Sequence, residues 1–166
     1  MHSHPALLTT ALDKANWTVN AVDSNHTDLL IDGDLFHPDG LYFRHDPGLD
    51  LAYEWVEIDF HEVLAVIEVV AFPVRKARTR AFKMTASVGN TAVDAGSHDG
   101  SVVFTGNDFC AVFNGAAVYH SYRMTCNGPM EGRFVQLQVL RDTGNGHNIE
   151  FEEVDVLVKR PNPKGG

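Results

Sequence analysis

Cys110 and Cys126 lie sixteen positions apart and could either close a crosslink or stand as two buried free thiols. Asp32-Gly33-Asp34 sets two carboxylates around a glycine, where they either shape a turn or offer oxygen to a hard cation. Arg75, Lys76, Arg78, Arg80 and Lys83 fall within nine positions. That density suits a polyhydroxylated or anionic ligand, or equally a solvated basic turn between strands. Acid and base pairs can be posed from Asp59 with Glu57, or His45 with Asp46, but nothing supplies a nucleophile with an orienting third group. Gly-rich phosphate loops and His-rich zinc spacings are missing too. Paired carboxylates leave a glycosidase as the residual catalytic reading. The expectation is a binding protein and not an enzyme.

The setting reads as extracellular, which tips the two cysteines toward a bridge. Asn16-Trp17-Thr18 and Asn25-His26-Thr27 both fit the N-glycosylation acceptor pattern of secreted proteins. The start Met1-His2-Ser3-His4-Pro5 is not a signal peptide, so the chain reads as a mature form with its leader removed. No apolar run approaches the roughly 18 residues a membrane span needs. A formal net charge of -9 argues against nucleic acid as the main partner.

A length of 166 residues with 44% hydrophobic content suits one domain with one core, expected over 1–160 with a tail at 161–166. The interior reads as strands. Val56 and Ile58 alternate with Glu57 and Asp59 through Trp55 to Phe60. Val63 to Phe72 is almost wholly apolar with Glu68 as its single charge, and its β-branched enrichment and the stop at Pro73 favour a doubly buried strand over a helix. Further strands are expected over Phe82 to Val88, Ser101 to Thr105, Tyr119 to Thr125, the alternating run Val135, Leu137, Val139, and Ile149 to Val158. Cys126 would then sit just ahead of a strand and anchor the preceding loop. Many short strands between Gly, Asn and Asp turns, with no sustained helical period, predict an all-β fold: an antiparallel β-sandwich of jelly-roll type.

Ile31-Asp32-Gly33-Asp34, Glu54-Trp55-Val56-Glu57-Ile58-Asp59-Phe60, Gly132-Arg133-Phe134-Val135 and Glu152-Glu153-Val154-Asp155-Val156 occur in the order and approximate spacing of the galactose-binding-like jelly rolls. Within that group the chain resembles the F-type lectins (fucolectins), on the Cys110/Cys126 pair just before Gly-Arg-Phe-Val and on His45 after the Asp32 loop. The resemblance implies a calcium ion tying that loop to the C-terminal strand. Its ligands would be Asp32, Asp34, the carbonyls of Leu29 and of a residue at or near Tyr42, the Glu152 carbonyl and the Glu153 side chain. It also implies sugar binding by His45, Arg75 and Arg80. The family's Asp between the two arginines is replaced by Ala77, and its adjacent cysteines are missing, so the implied ligand is a fucose-like or related terminal sugar. The competing reading is an adhesion module on the same jelly roll, binding protein or anionic glycan without a fucose site. Tyr42, Phe43 and Phe36 would stack on the sugar or pack beneath the loop, while His26, His37 and His61 read as ordinary surface or core histidines. Weak single sites are commonly offset by homo-oligomerisation, although no residue signals it.

Overall fold

The computed structural model describes residues 7–8, 14–21, 24–25, 27–33, 43–45, 53–75, 81–93, 107–116, 120–140 and 150–159. The strands are β1 (Leu7–Leu8), β2 (Thr18–Ala21), β3 (Ser24–Asn25), β4 (Phe43–His45), β5 (Tyr53–Pro73), β6 (Ala81–Gly89), β7 (Asp108–Ala116), β8 (Tyr122–Leu140) and β9 (Glu150–Lys159), with 3-10 turns at Lys14–Asn16 and Thr27–Ile31. Hydrogen bonding follows the order β3-β4-β9-β5-β8-β6-β7, with β1 on β9 and β2 on β5. Every pairing is antiparallel.

Two strands belong to both layers of a sandwich. Fully extended, β5 would reach about 70 Å, whereas a domain of this length has a radius of gyration near 15 Å. It must bend. Its first half, Tyr53 to Asp59, pairs with β2 and with Phe134 to Leu140 of β8; its second half, from Leu64, pairs with the first half of β8 and with β9. Val56, Ile58, Met84, Ala86, Leu137 and Val139 of one layer meet Val66, Val69, Met124, Phe151, Val154 and Val156 of the other in a single core. The sandwich expected from the strand pattern is therefore present, but Trp55 to Phe60 and Val63 to Phe72 are one strand turning a corner.

The corner explains two of the motifs. Between Asp59 and Leu64 the register slips, and His61 takes the left-handed region at φ 59°. His61 N–H donates to Asp59 Oδ1 at 2.8 Å, Thr18 Oγ1 lies 2.9 Å from His61 Nε2, and Arg133 grips Asp59 with Nε to Oδ1 and Nη2 to Oδ2, both at 2.8 Å. That two-pronged contact outweighs partial burial and holds the Asp59 carboxyl below its ordinary range. Gly132, one residue away, has no room for a side chain: a Cβ would stand 2.6–2.8 Å from the backbone of Gly89.

Glu57, read as the polar side of its strand, is buried instead. Burial pushes its carboxyl above the usual range, against hydrogen bonds from Gln136 Nε2 at 2.8 Å and Val93 N at 2.6 Å. Asn107 completes the network by donating to Gln136 Oε1 and to the Thr91 carbonyl, both at 2.8 Å, so that a loop covers this outer face. Val63 is 57% exposed at the corner and Ile67 and Glu68 are half-buried, so double burial starts only at Val69. Ser101 to Thr105 lies outside the described residues, and the strand observed nearby is β7.

Cys110 and Cys126 are joined, and both are buried. Cys126 is inside β8, not ahead of it, at the register slip where Gly128 adopts φ 88° and Pro129 interrupts the ladder. Since β7 lies in one layer and this half of β8 in the other, with the two cysteine Cα atoms only 4.5 Å apart, the bridge staples the two layers where edge strand β7 approaches β8. Reduction is expected to cost about 3 kcal/mol by loop entropy, lowering the melting temperature by about 10 °C. Calorimetry with and without reductant checks this; identical curves would reject it.

Candidate functional site at the open end of the sandwich

Antiparallel geometry decides where the predicted ligand-binding residues meet. β4 and the second half of β5 both run against β9, on its two sides, so both chains emerge at the same end. Phe43 and Pro73 are both opposite Phe151, Arg44 is opposite Glu150, and Val74 N–H donates to the Glu150 carbonyl at 3.0 Å. His45 and Arg75 therefore follow in one row, two strand spacings or about 10 Å apart along the backbone. Arg75 is exposed. Ser24 of β3 lies opposite His45 and widens the same rim. Arg80 lies outside the described residues.

Packed rings support this end. Phe113 meets Tyr122 edge-on with centroids 5.2 Å apart, and Tyr122 meets Phe151 at 6.2 Å. Tyr122 and Phe151 are fully buried, which makes a rigid base at this end.

The residues predicted to hold an ion fall beside β9. The turn Thr27–Ile31, carrying Leu29, leads into exposed Asp32 and Gly33, and Gly33 adopts φ 83°. Glu152 and Glu153 are adjacent in β9, the first half-buried and the second 1% exposed. Among the described residues neither oxygen of the Glu153 carboxylate has a hydrogen-bond partner, and Lys14 Nζ approaches Oε1 only to 3.4 Å while meeting Asp155 Oδ1 at 2.5 Å. Burial first, then the charges of Asp155 and Asp32, push the Glu153 carboxyl up to about 8 despite Lys14. Asp32 is thus within electrostatic reach of Glu153. Asp34 and Tyr42 lie outside the described residues, among which no three His, Cys, Asp or Glu side chains cluster tightly enough to hold a metal.

A third feature has no counterpart in the sequence reading. At the corner, Asn16, Trp17, Phe60, His61 and Glu62 line an open cleft of about 430 Å³. The one available signal was a histidine in the position where the chain turns out of Asp59-Phe60; histidine is enriched among non-glycine residues with positive φ.

No protein-family model matches the chain, and no curated protein matches it. Solved structures do. The family 32 carbohydrate-binding module of Clostridium perfringens NanJ, in complex with galactose, superposes with a TM-score of 0.66 at 13% identity, over 90% of this chain and 99% of that one. A family 32 module of CpGH89 from the same organism, in complex with GalNAc-β-1,3-galactose, gives 0.64 at 13% identity, over 87% and 97%. The corresponding module of AlyQ, in complex with 4,5-unsaturated mannuronic acid, gives 0.58 at 13% identity, over 83% and 92%. Against the CpGH89 enzyme of Clostridium perfringens in complex with GlcNAc-α-1,4-galactose the TM-score is 0.62 at 17% identity, and this chain spans only 15% of that one. At these identities the likeness establishes architecture alone: the chain has an antiparallel β-sandwich fold like that of the family 32 modules.

Proposed function

We propose that the protein is a carbohydrate-binding module whose sugar site lies at the open end, with His45 and Arg75 supplying the polar grip and Arg80 completing it. The observation that carries this reading is the convergence of β4 and β5 on either side of Glu150, which brings two residues thirty positions apart in sequence to one rim. Charged nitrogen donors recognise ring hydroxyls well, and an exposed site above packed aromatics suits a terminal sugar. Galactose and GalNAc-β-1,3-galactose in the complexes of similar fold support a terminal galactose-like ring. Fucose, a 6-deoxygalactose, belongs to the same class, in keeping with the resemblance to F-type lectins. The bridge between Cys110 and Cys126 is in keeping with a secreted protein.

Calcium is part of the reading as a stabilising ion. A buried carboxylate without hydrogen bonds among the described residues, beside the turn that carries Leu29 and leads to Asp32, fits a hard cation completed by backbone carbonyls. Lys14 is the competitor, since its ammonium meets the same carboxylate. Calcium would have to displace it or share the site.

Arg75→Ala is expected to weaken binding to galactose, N-acetylgalactosamine or fucose glycans at least tenfold on an array, with an unchanged melting curve, because an exposed arginine contributes little to stability. Arg75→Lys should recover little, since a point charge does not reproduce a planar two-pronged donor. Glycan binding that survives both Arg75→Ala and His45→Ala rejects this site; an array without hits in calcium favours a protein- or anion-binding adhesion module instead.

A further inference from the structure

The corner cleft and the open end are separate: Leu64 to Pro73, at about 3.3 Å per residue, put them about 30 Å apart. Phe60 is buried and tilts against half-buried Trp17, with ring centroids 4.6 Å apart at 57°. Trp17 thereby presents a fixed aromatic surface. Exposed Asn16 and Glu62 flank it, and among the described residues neither side chain is engaged in a hydrogen bond or ion pair. His61 is different. Its Nε2 is 2.9 Å from Thr18 Oγ1 and its Nδ1 3.3 Å from Arg133 Nη2, so its nitrogens are occupied and its ring serves as wall. The left-handed backbone at His61, held by Asp59, Thr18 and Arg133, keeps that wall in place.

We propose that this cleft is a second ligand site, binding one neutral pyranose ring with its apolar face on Trp17 and vicinal hydroxyls on Asn16 and Glu62. A volume of about 430 Å³ lies within the range of small-ligand sites. An amide that donates and accepts, beside a carboxylate that accepts, matches a pair of neighbouring hydroxyls. Glu62 and the net charge of -9 disfavour an anion. Three polar lining residues disfavour a purely apolar ligand. A quaternary ammonium would use Trp17 and Glu62, but a single open aromatic face is not a cage and Asn16 would be idle.

The chain has two tryptophans, and Trp55 is 2% exposed, so acrylamide quenching of fluorescence reports on Trp17. Bacterially produced protein, free of glycan on Asn16, is titrated with the methyl glycosides of galactose, fucose and glucose. At least one is expected to protect Trp17 from acrylamide and to shift the amide resonances of Asn16, Trp17, His61 and Glu62. Glu62→Gln and Asn16→Ala should each weaken that binding about tenfold with unchanged melting temperature, and Arg75→Ala should leave it intact. Shifts confined to the Arg75 end overturn the assignment without touching the open-end site. Protection by tetramethylammonium and not by sugar also overturns it, as does the absence of any response at the corner.

Discussion

Replacing Gly132 by alanine is expected to lower the melting temperature by about 10 °C, more than any single surface change in the molecule. A new Cβ would stand 2.6, 2.7 and 2.8 Å from the Gly89 N, O and Cα, and a backbone locked in a ladder cannot move aside as a side chain would. Overpacking of this kind costs about 3 kcal/mol, and at this chain length each kcal/mol is about 2–4 °C. Gly128→Ala is the control. Nothing lies within 4 Å of its Cβ, so only the φ of 88° opposes it and the cost should be about 1–2 kcal/mol. Thermal melts of the two variants decide between contact and conformation: equal losses would mean that the approach of Gly132 to Gly89 is not what the corner requires.

In chelator, stability is expected to fall as pH rises from about 4.5 to about 8. The sign follows from proton linkage. Glu153 has an ordinary value of 4.5 and is pushed up to about 8 in the folded chain, chiefly by burial. Between those limits the folded state holds a proton that the unfolded state has released, so each step up in pH favours unfolding. Stability is then fullest below about 4.5, as far as Glu153 is concerned, and its share is lost by about 8. At about 1.4 kcal/mol per pH unit the window amounts to a few kcal/mol. Glu153→Gln should flatten the slope and raise the melting temperature at pH 8 in chelator. Calcium, if Glu153 is its ligand, should reverse the effect: the wild type gains most from added calcium at high pH, and Glu153→Ala loses that gain. A wild-type curve that is the same with calcium and with chelator rejects the ion; a slope that survives in Glu153→Gln assigns the titration elsewhere.

Asp59 works in the opposite direction. Arg133 holds it below its ordinary range, so its contribution is present above the unfolded value near 3.8 and is lost only as pH falls through the lower folded value. The two groups therefore act in different pH windows.

Period-two alternation was enough to locate β6, β9 and most of β5 and β8, because a side chain in a strand must face one layer or the other, whereas β1 to β4 and β7 were not legible from it. Met84, Ala86 and Val88 are all buried as their pattern implies, and Val154 and Val156 likewise. Turn residues were enough for an antiparallel sandwich, while the two cysteines pointed to a bridge only together with the glycosylation triplets that suggest an extracellular setting. The same alternation could not tell two strands from one bent strand. The bend at His61 depends on Asp59, Thr18 and Arg133, which are up to 115 positions apart in sequence, from 18 to 133. Nor could it say that Glu57 is buried: a carboxylate on a strand reads as solvent-facing until Gln136, Asn107 and the Val93 amide arrive to satisfy it. His45 and Arg75 were singled out as a sugar grip only through the resemblance, and their shared rim exists only because β4 and β5 flank β9 in the same direction. The corner cleft was illegible for the same reason. Trp17 and Glu62 come together through β2 pairing with β5, and chain pairing over that distance is a property of the whole core, not of any window of residues.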